Sequence, residues 1–534
     1  MTELDTDLVI VGGGLGGVAA ALAALRAGRR VILSEEYDWL GGQLTSQAVP
    51  PDEHSWVEQF GVTASYRELR DGIRAYYRRN YPLTPRARAR RDLNPGAGHV
   101  SRLCHEPRVA VAVIEEMLAP HRGSGRLRVL QPYRPVGAET DGDRVSAVRL
   151  AHRDSGEEIT VTGRYVIDAT ESGELLPLTG TEYVTGFESR EVTGEPSAPA
   201  EAQPMNMQAV SVCFAVDHVD GDHTIDRPAD YGFWREFRTD FWGGNLLGWT
   251  TPNPRTLETG TRSFTPNPDD DPDAVVADQR LSGGDSNLWT FRRIAARRNF
   301  VPGAYASDIC LVNWPMIDYF LAPVIDVPDA AHHLAAARGL SYSVLYWLQT
   351  EAPRPDGGTG FPGLRLRGDI TGSADGLAQA PYYRESRRIA AEYTVVEQDL
   401  SVAVRGDRGA VPYEDTVGVG MYRIDLHPST GGDNYIDVAA SPFRIPLGAL
   451  IPVRMENLLP AGKNIGTTHI TNGCYRLHPV EWNIGEAAGT LAAHCLQQST
   501  TPRAVRNDPR QLASFQDRLT AQGVELRWPD IAGY

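Results

Sequence analysis

Residues 461–489, AGKNIGTTHITNGCYRLHPVEWNIGEAAG, gather Lys463, His469, Arg476, His478 and Glu481 into one short stretch. Their types define a chemistry. Imidazoles change charge near neutral pH and accept protons, and a guanidinium grips a carboxylate or a pair of hydroxyls. A fixed ammonium stabilises negative charge developing beside it. Lys463 is the sole lysine among 52 basic residues. Three histidines are candidate bases: His427, closing the strand-like DTVGVGMYRIDLHPS, then His469 and His478. His469 reads as the freest, in a loop that lets it project, whereas His478 stands where a helix needs a cap. Arg476 is the candidate for holding substrate, and Lys463 for stabilising a reduced cofactor or the oxygen species that reoxidises it.

These groups lie just ahead of a helix. Pro479 suits a first turn, where a missing N–H costs nothing, and Glu481 in that turn complements the helix dipole. Glu481 and Asn483 read as cap or cofactor-edge contacts. Gly485, Ala488 and Gly489 give this helix, expected to run to about Leu496, a slim face for close packing.

What it packs against is at the other end of the chain. DTDLVIVGGGLGGVAAALAALRAGRRVILSEE reads as strand, glycine turn, helix, strand. An unbroken apolar run before the turn is the mark of a strand covered on both faces. Gly12, Gly14 and Gly17 form GxGxxG, which turns sharply, admits a pyrophosphate and lets helix meet strand. Glu35, 18 residues beyond Gly17, sits where a carboxylate reaches ribose hydroxyls. The next segment, YDWLGGQLTSQAVPP, carries Gly42 and Gln43 in a polar loop. Such a loop suits a cofactor longer than NAD, one that continues towards a flavin. A further apolar strand ends in DATESGE with Asp168 and a Gly173 turn, and another ends at Gly462. No second GxGxxG follows a strand, so a separate nicotinamide domain is not expected.

With −16 formal charge, 41% hydrophobic and 22% charged residues, the 534-residue chain reads as soluble and multi-domain. Its net charge disfavours nucleic acid and anionic membranes as partners. The basic run 78–93, RRNYPLTPRARARRDL, reads as a solvated loop or a clamp for an acidic partner. Cysteines 104, 213, 310, 474 and 495 are scattered, which points away from a zinc site or a redox dithiol and towards a reducing cytoplasm. Cys104 or a histidine could anchor a flavin covalently, which the spacing leaves open.

Between the cofactor segments, 186–206 reads as a linker, 207–217 as a strand, 251–277 as a long surface loop and 330–349 as a helix. PYYRESRRIAAEYTV, 381–395, also reads as a helix, with Arg384, Glu385, Arg387 and Arg388 near its start. The aromatics here, Trp314 included, read as core or as a face for a flat substrate.

The motifs VGGGLGG, LGGQLTSQ, DATESGE, IPLGALIP, LLPAGKNIG and HPVEWNIGEAAG resemble bacterial FAD-dependent oxidoreductases of the xanthan-lyase-associated kind, distant relatives of glutathione-reductase and fumarate-reductase flavoproteins. The resemblance spans nearly the whole chain. It implies an α/β fold in which a Rossmann-like FAD-binding domain of glutathione-reductase type carries an inserted α+β substrate domain. The expected parts are 1–185 and 441–500 for FAD, 186–440 for substrate, and 501–534 as an extension. The expected reaction is oxidation of a small polar molecule, a sugar-like alcohol or an amine, by hydride transfer to the flavin, with oxygen or a carrier as acceptor. Reduction of an activated double bond, monooxygenation and a non-catalytic flavin module are the alternatives.

Overall fold

The structure is a computed structural model and describes residues 2–272 and 287–531. Its organising element is β1 (Thr2–Val11), whose residues Leu8 to Val11 have no solvent exposure. β1 is flanked by the parallel strands β2 (Val31–Ser34) and β6 (Glu158–Asp168), and β3 (Leu127–Leu130) extends the sheet beyond β2. β4 (Tyr133–Asp141) and β5 (Arg144–His152) form an antiparallel hairpin on the outer edge of β6. The C-terminal half of β6 instead receives β7 (Leu458–Pro460) in parallel, with Leu458 opposite Val166 and Pro460 opposite Asp168. Segments nearly three hundred residues apart thus end side by side at one edge of the sheet.

α1 (Leu15–Arg26) leaves β1 through the glycine turn. Gly12 has φ +97°, a conformation in which side chains are strained, and a Cβ there would meet Ala169 O at 2.3 Å. α1 packs on α3 (His478–Gln498), backbone against backbone. A Cβ on Gly485 would lie 2.0 Å from Gly16 O, and one on Gly489 2.2 Å from Ala20 O. The small-residue face of α3 is therefore what lets the C-terminal segment reach the glycine turn.

Between β6 and β7 the chain builds a second, antiparallel sheet from 293–295, 309–312, 214–218 and 364–366. The helix Ala330–Thr350 is tied to this region by Ser341 Oγ, which donates to Val212 O at 2.7 Å. Trp314 is buried core, its ring 5.5 Å from that of Phe264. Of the expected surface loop 251–277, the described part holds a short hairpin, 250–252 with 259–261, and 273–277 lies outside the described residues.

One expectation changes. The stretch 381–395 is not helical: it is extended, with Arg388–Ile389 pairing Tyr183–Val184. The reason is that neighbouring side chains are drawn to different buried partners, Arg384 to Asp318, Glu385 to His469 and Arg388 to Glu188. The basic run, for its part, grips the chain's own acids: Arg86 pairs Asp271 at 3.1 Å and Arg79 pairs Glu116 at 2.7 Å.

Among the described residues no helix is long and apolar enough to cross a membrane. All five cysteines are free and buried.

Candidate functional site

A cleft opens at the C-terminal ends of β1, β2 and β6. Gly12, Gly14, Glu35, Gly42, Gln47, Thr170, Glu171 and Tyr383 are among its walls. The first turn of α1 points at it, so unsatisfied N–H groups and the positive end of the helix dipole face the cleft. Glu35 organises the opposite wall. Its carboxylate accepts N–H bonds from Gly13 at 2.7 Å and Tyr37 at 2.9 Å. Burial nevertheless pushes it up to about 8, the two backbone bonds only partly offsetting the lost solvation.

Asp168, at the end of β6, is consumed locally. It accepts from the Thr170 N–H and hydroxyl at 3.0 and 2.7 Å and from the Leu175 N–H at 3.1 Å, and burial raises it to about 6. It shapes the DAT turn that Gly173, at φ +67°, completes. Its carboxylate has no oxygen left without a protein donor.

The residues fit an FAD. Cβ atoms built on Gly14 and Gly42 would each come 2.7 Å from Glu171 Oε1, a buried oxygen with no hydrogen-bond partner. The two glycines thus let an oxygen come close to the backbone, as a phosphate oxygen would. Gln43 Oε1 and both amide atoms of Gln47 are likewise buried without partners along the loop that continues from it. Gly12, Gly14, Gly17, Glu35, Gly42 and Gln47 would hold a dinucleotide, and a flavin there would supply a two-electron acceptor.

Lys463 is placed otherwise than expected. Its ammonium is buried and contacts the Glu171 carboxylate, with Glu481 Oε2 at 3.5 Å. Burial works against its charge, but Glu171 and then Glu481 hold its pKa above the ordinary lysine value. An ammonium already shared by two carboxylates has little left for a cofactor. Burial pushes Glu481 upwards while Lys463 pulls it down, and its Oε2 accepts from Gln43. Gly462 lies in the turn after β7, its N–H donating to Asn464 Oδ1 at 3.2 Å. Asn483 is spent on the 416–420 strand: its Oδ1 accepts from Val419 N–H and its Nδ2 donates to Val417 O, at 3.2 and 3.3 Å. A cofactor-edge contact is closed to it.

The candidate bases separate clearly. His469, expected to project from a loop, is instead the first residue of α2 (His469–Tyr475) and is 1% exposed. Its ring stacks on Phe187 at 3.7 Å and lies 2.9 Å from Glu385 Oε2. The Thr468 cap starts this helix early, and the projecting loop does not exist. His478 opens α3 without being its cap. Its Nδ1 accepts the Asp52 N–H at 3.0 Å, and burial lowers it to about 4, so it is neutral with its proton on Nε2.

His427 has the geometry of an oriented base. Its Nδ1 lies 2.6 Å from Asp318 Oδ2, and its Nε2 makes no hydrogen bond, with Asp425 Oδ2 at 3.8 Å. Asp318 is fully buried and held by Arg384 at 2.9 Å and the Ser211 hydroxyl at 2.6 Å. Burial and Arg384 lower the histidine's pKa, so at neutral pH the imidazole is uncharged, with Nδ1–H donating and Nε2 open. Arg476 bridges this pair to the cofactor loop: it donates to Asp425 O at 3.0 Å and to the Tyr382 hydroxyl at 2.6 Å, and its own carbonyl accepts from Gln43 at 2.9 Å.

Several groups escape sequence reasoning. Asp318 hides in the apolar LVNWPMIDY, and Tyr382 in a stretch that reads as helical. Glu171 was in plain view in DATESGE; an acid three residues past a strand end was the available signal. Cys104 is buried, its thiol pushed up to about 12 by loss of solvent, which keeps it from acting as a thiolate anchor.

Comparison with known proteins adds the family. A geranylgeranyl bacteriochlorophyll reductase-like protein from Thermoplasma acidophilum is 10% identical, with a TM-score of 0.33 over 98% of this chain and 85% of that one. Glycerol-3-phosphate dehydrogenase from Bacillus halodurans, complexed with FAD, is 15% identical, with a TM-score of 0.22 over 40% of each chain. L-Proline dehydrogenase from P. horikoshii is 16% identical, with a TM-score of 0.18 over 35% of this chain and 24% of that one. The chain spans less than half the length of the first solved structures it matches, 24%, 45% and 42%. Scores this low carry no argument about the reaction. No protein of curated function matches. The model of the family described as FAD dependent oxidoreductase, however, matches residues 7–519, taking in the glycine turn, the DAT turn and the whole of 461–489. With the cleft shaped for a dinucleotide and the match running from β1 past α3, the chain belongs to the FAD dependent oxidoreductase family, and its cofactor is FAD.

Proposed function

We propose that this protein oxidises a small polar substrate, an alcohol or an amine, with His427 taking the proton and a bound FAD there to supply the two-electron acceptor. One observation carries the proposal: the 2.6 Å contact between His427 Nδ1 and the buried Asp318 carboxylate. That contact fixes the tautomer, aims the ring and leaves Nε2 as the acceptor. Asp318 stays ionised, because Arg384 and His427 outweigh the effect of burial, and so stabilises the imidazolium that forms. Arg476, bonded to Asp425 and Tyr382, positions the substrate's polar group between the dyad and the cofactor loop. Oxygen or a soluble carrier would be the acceptor that such a bound flavin hands its electrons to.

The reverse chemistry, protonation of a double bond during its reduction, would need a charged imidazole. The lowered pKa of His427 favours the neutral one.

The test is anaerobic bleaching of the yellow protein with a panel of alcohols, sugars and amines. His427→Asn should slow bleaching by about 10²–10⁴-fold, and Asp318→Asn by a comparable factor, both with FAD content unchanged. Bleaching at the wild-type rate in His427→Asn would remove the base from this reading.

A further inference from the structure

Buried arginines in this molecule are mostly matched with carboxylates, Arg476 standing 3.5 Å from Asp425. Arg293 has Asp270 and Asp308 at 2.6 and 3.0 Å, Arg384 has Asp318 at 2.9 Å, Arg74 has Glu58 at 2.6 Å, and Arg70 and Arg388 contact Glu53 and Glu385. Arg292, next in the chain to Arg293, breaks the pattern. Its side chain is 13% exposed and its nearest acid, Asp52, stands off at 3.8 Å. Both Nε and Nη1 are buried and make no hydrogen bond. A guanidinium removed from water without acceptors is costly.

A second unpartnered donor lies beside it. The Nδ1 of His478 accepts from the Asp52 N–H, which puts the ring proton on Nε2, and Nε2 is buried with no acceptor. Asp52 therefore touches both groups, through its N–H to His478 and its carboxylate towards Arg292. The flanking thiols of Cys104 and Cys213 are both buried and feel the Arg292 charge. Glu53, the next acid in the chain, is held by Arg70. Position completes the case. Asp52 ends the loop that carries Gln43 and Gln47 along the cofactor cleft, and His478 lies one helical turn before Glu481, which binds Gln43.

We infer that the substrate carries a carboxylate, bound by Arg292 Nε and Nη1 and by the Nε2–H of His478. This rests on the oxidase reading above for the side of the cofactor at which substrate arrives. A carboxylate presents two oxygens to the guanidinium fork and can spare a lone pair for the imidazole. The substrate class narrows to hydroxy or amino acids, sugar acids included.

The experiment titrates the FAD-loaded protein with acetate, propanoate and benzoate, each against its amide, at constant ionic strength, and reads the visible flavin spectrum. In the wild type each acid should shift the spectrum saturably and bind at least tenfold tighter than its amide. In Arg292→Met the acids should weaken at least tenfold to the level of the amides, and Arg292→Lys should recover part of the loss. Equal binding of acid and amide to the wild type overturns the inference and needs no variant. Unchanged acid binding in FAD-replete Arg292→Met overturns it as well. If the acids fail while His427→Asn still slows bleaching, the anion site falls and the oxidase reading stands. If the acids bind through Arg292 but His427→Asn bleaches normally, the anion site stands and the base does not.

Discussion

Glu35 and Glu385 are both buried carboxylates, and the protein treats them in opposite ways. Around Glu385, residues 186–188, 384–389 and 467–469 form a knot in which Glu385 and Glu188 meet cations: Arg388 contacts Glu385 and reaches Glu188 at 2.9 Å, and His469 lies 2.9 Å from Glu385. Against the effect of burial, His469 and then Arg388 bring Glu385 down to about 2. In the cofactor cleft, acids are buried with few cations. Burial takes Glu35 up to about 8 and Glu174 to about 7. Glu385 has its counterions within the chain. The cleft is electrostatically unfinished, and hydroxyl donors of a bound nucleotide are what would finish it.

The largest effect separating the two regions should come from the knot. Arg388→Met leaves Glu385 and Glu188 buried without their shared cation, which should cost about 3–5 kcal/mol. Urea unfolding measures this, and the folded fraction should still retain FAD. A loss below about 1 kcal/mol would mean that the knot is no tighter than a surface ion pair.

That knot was illegible in the sequence, whereas the cleft was largely readable. GxGxxG, the acid after β2 and the DAT turn are local signals, because strand, turn and helix must follow one another for the phosphate cradle to form. The slim face of α3 could be read from Gly485 and Gly489, since only close backbone contact asks for such residues at helical spacing. Arg384, Glu385 and Arg388 gave no such signal. Their spacing fits a helix, and their extended conformation is dictated by partners up to two hundred residues away. His427 and His469 could not be ranked for the same reason: the Asp318 partner that orients one and the Phe187 ring that encloses the other are both distant in the chain. Lys463 stood out by composition, but its role depends on Glu171, which leaves the neighbouring strand β6 nearly three hundred residues away in the chain.

The second effect is of pH, and its sign differs between regions. Glu35 and Glu174 have folded pKa values raised above the unfolded one, so the folded state holds extra protons. Their contribution is fully present below about pH 4.5 and is lost as pH rises towards 7 and 8. Glu53 and Glu385 are depressed to about 2, so theirs is present above about pH 4.5 and lost as pH falls towards 2. FAD-free protein should therefore lose on the order of 2 kcal/mol between pH 5 and 8, and FAD should remove most of that slope. Equal slopes with and without FAD would show that the cleft acids do not answer to the cofactor.

The third effect isolates one residue of the cleft. Glu35→Ala removes the carboxylate expected to accept ribose hydroxyls and frees the N–H groups of Gly13 and Tyr37. Lost ligand bonds to a charged acceptor should weaken FAD by about 1.5–3 kcal/mol, roughly ten- to hundredfold. Stability without FAD should change less, because the two stranded N–H groups are offset by removal of a buried acid that burial already disfavours. Retention of FAD after dialysis and unfolding of the FAD-free form measure the two halves. If Glu35→Ala destabilised the FAD-free protein as much as Arg388→Met while binding FAD normally, Glu35 would belong with the knot: a strut for the glycine turn whose partners are all within the chain.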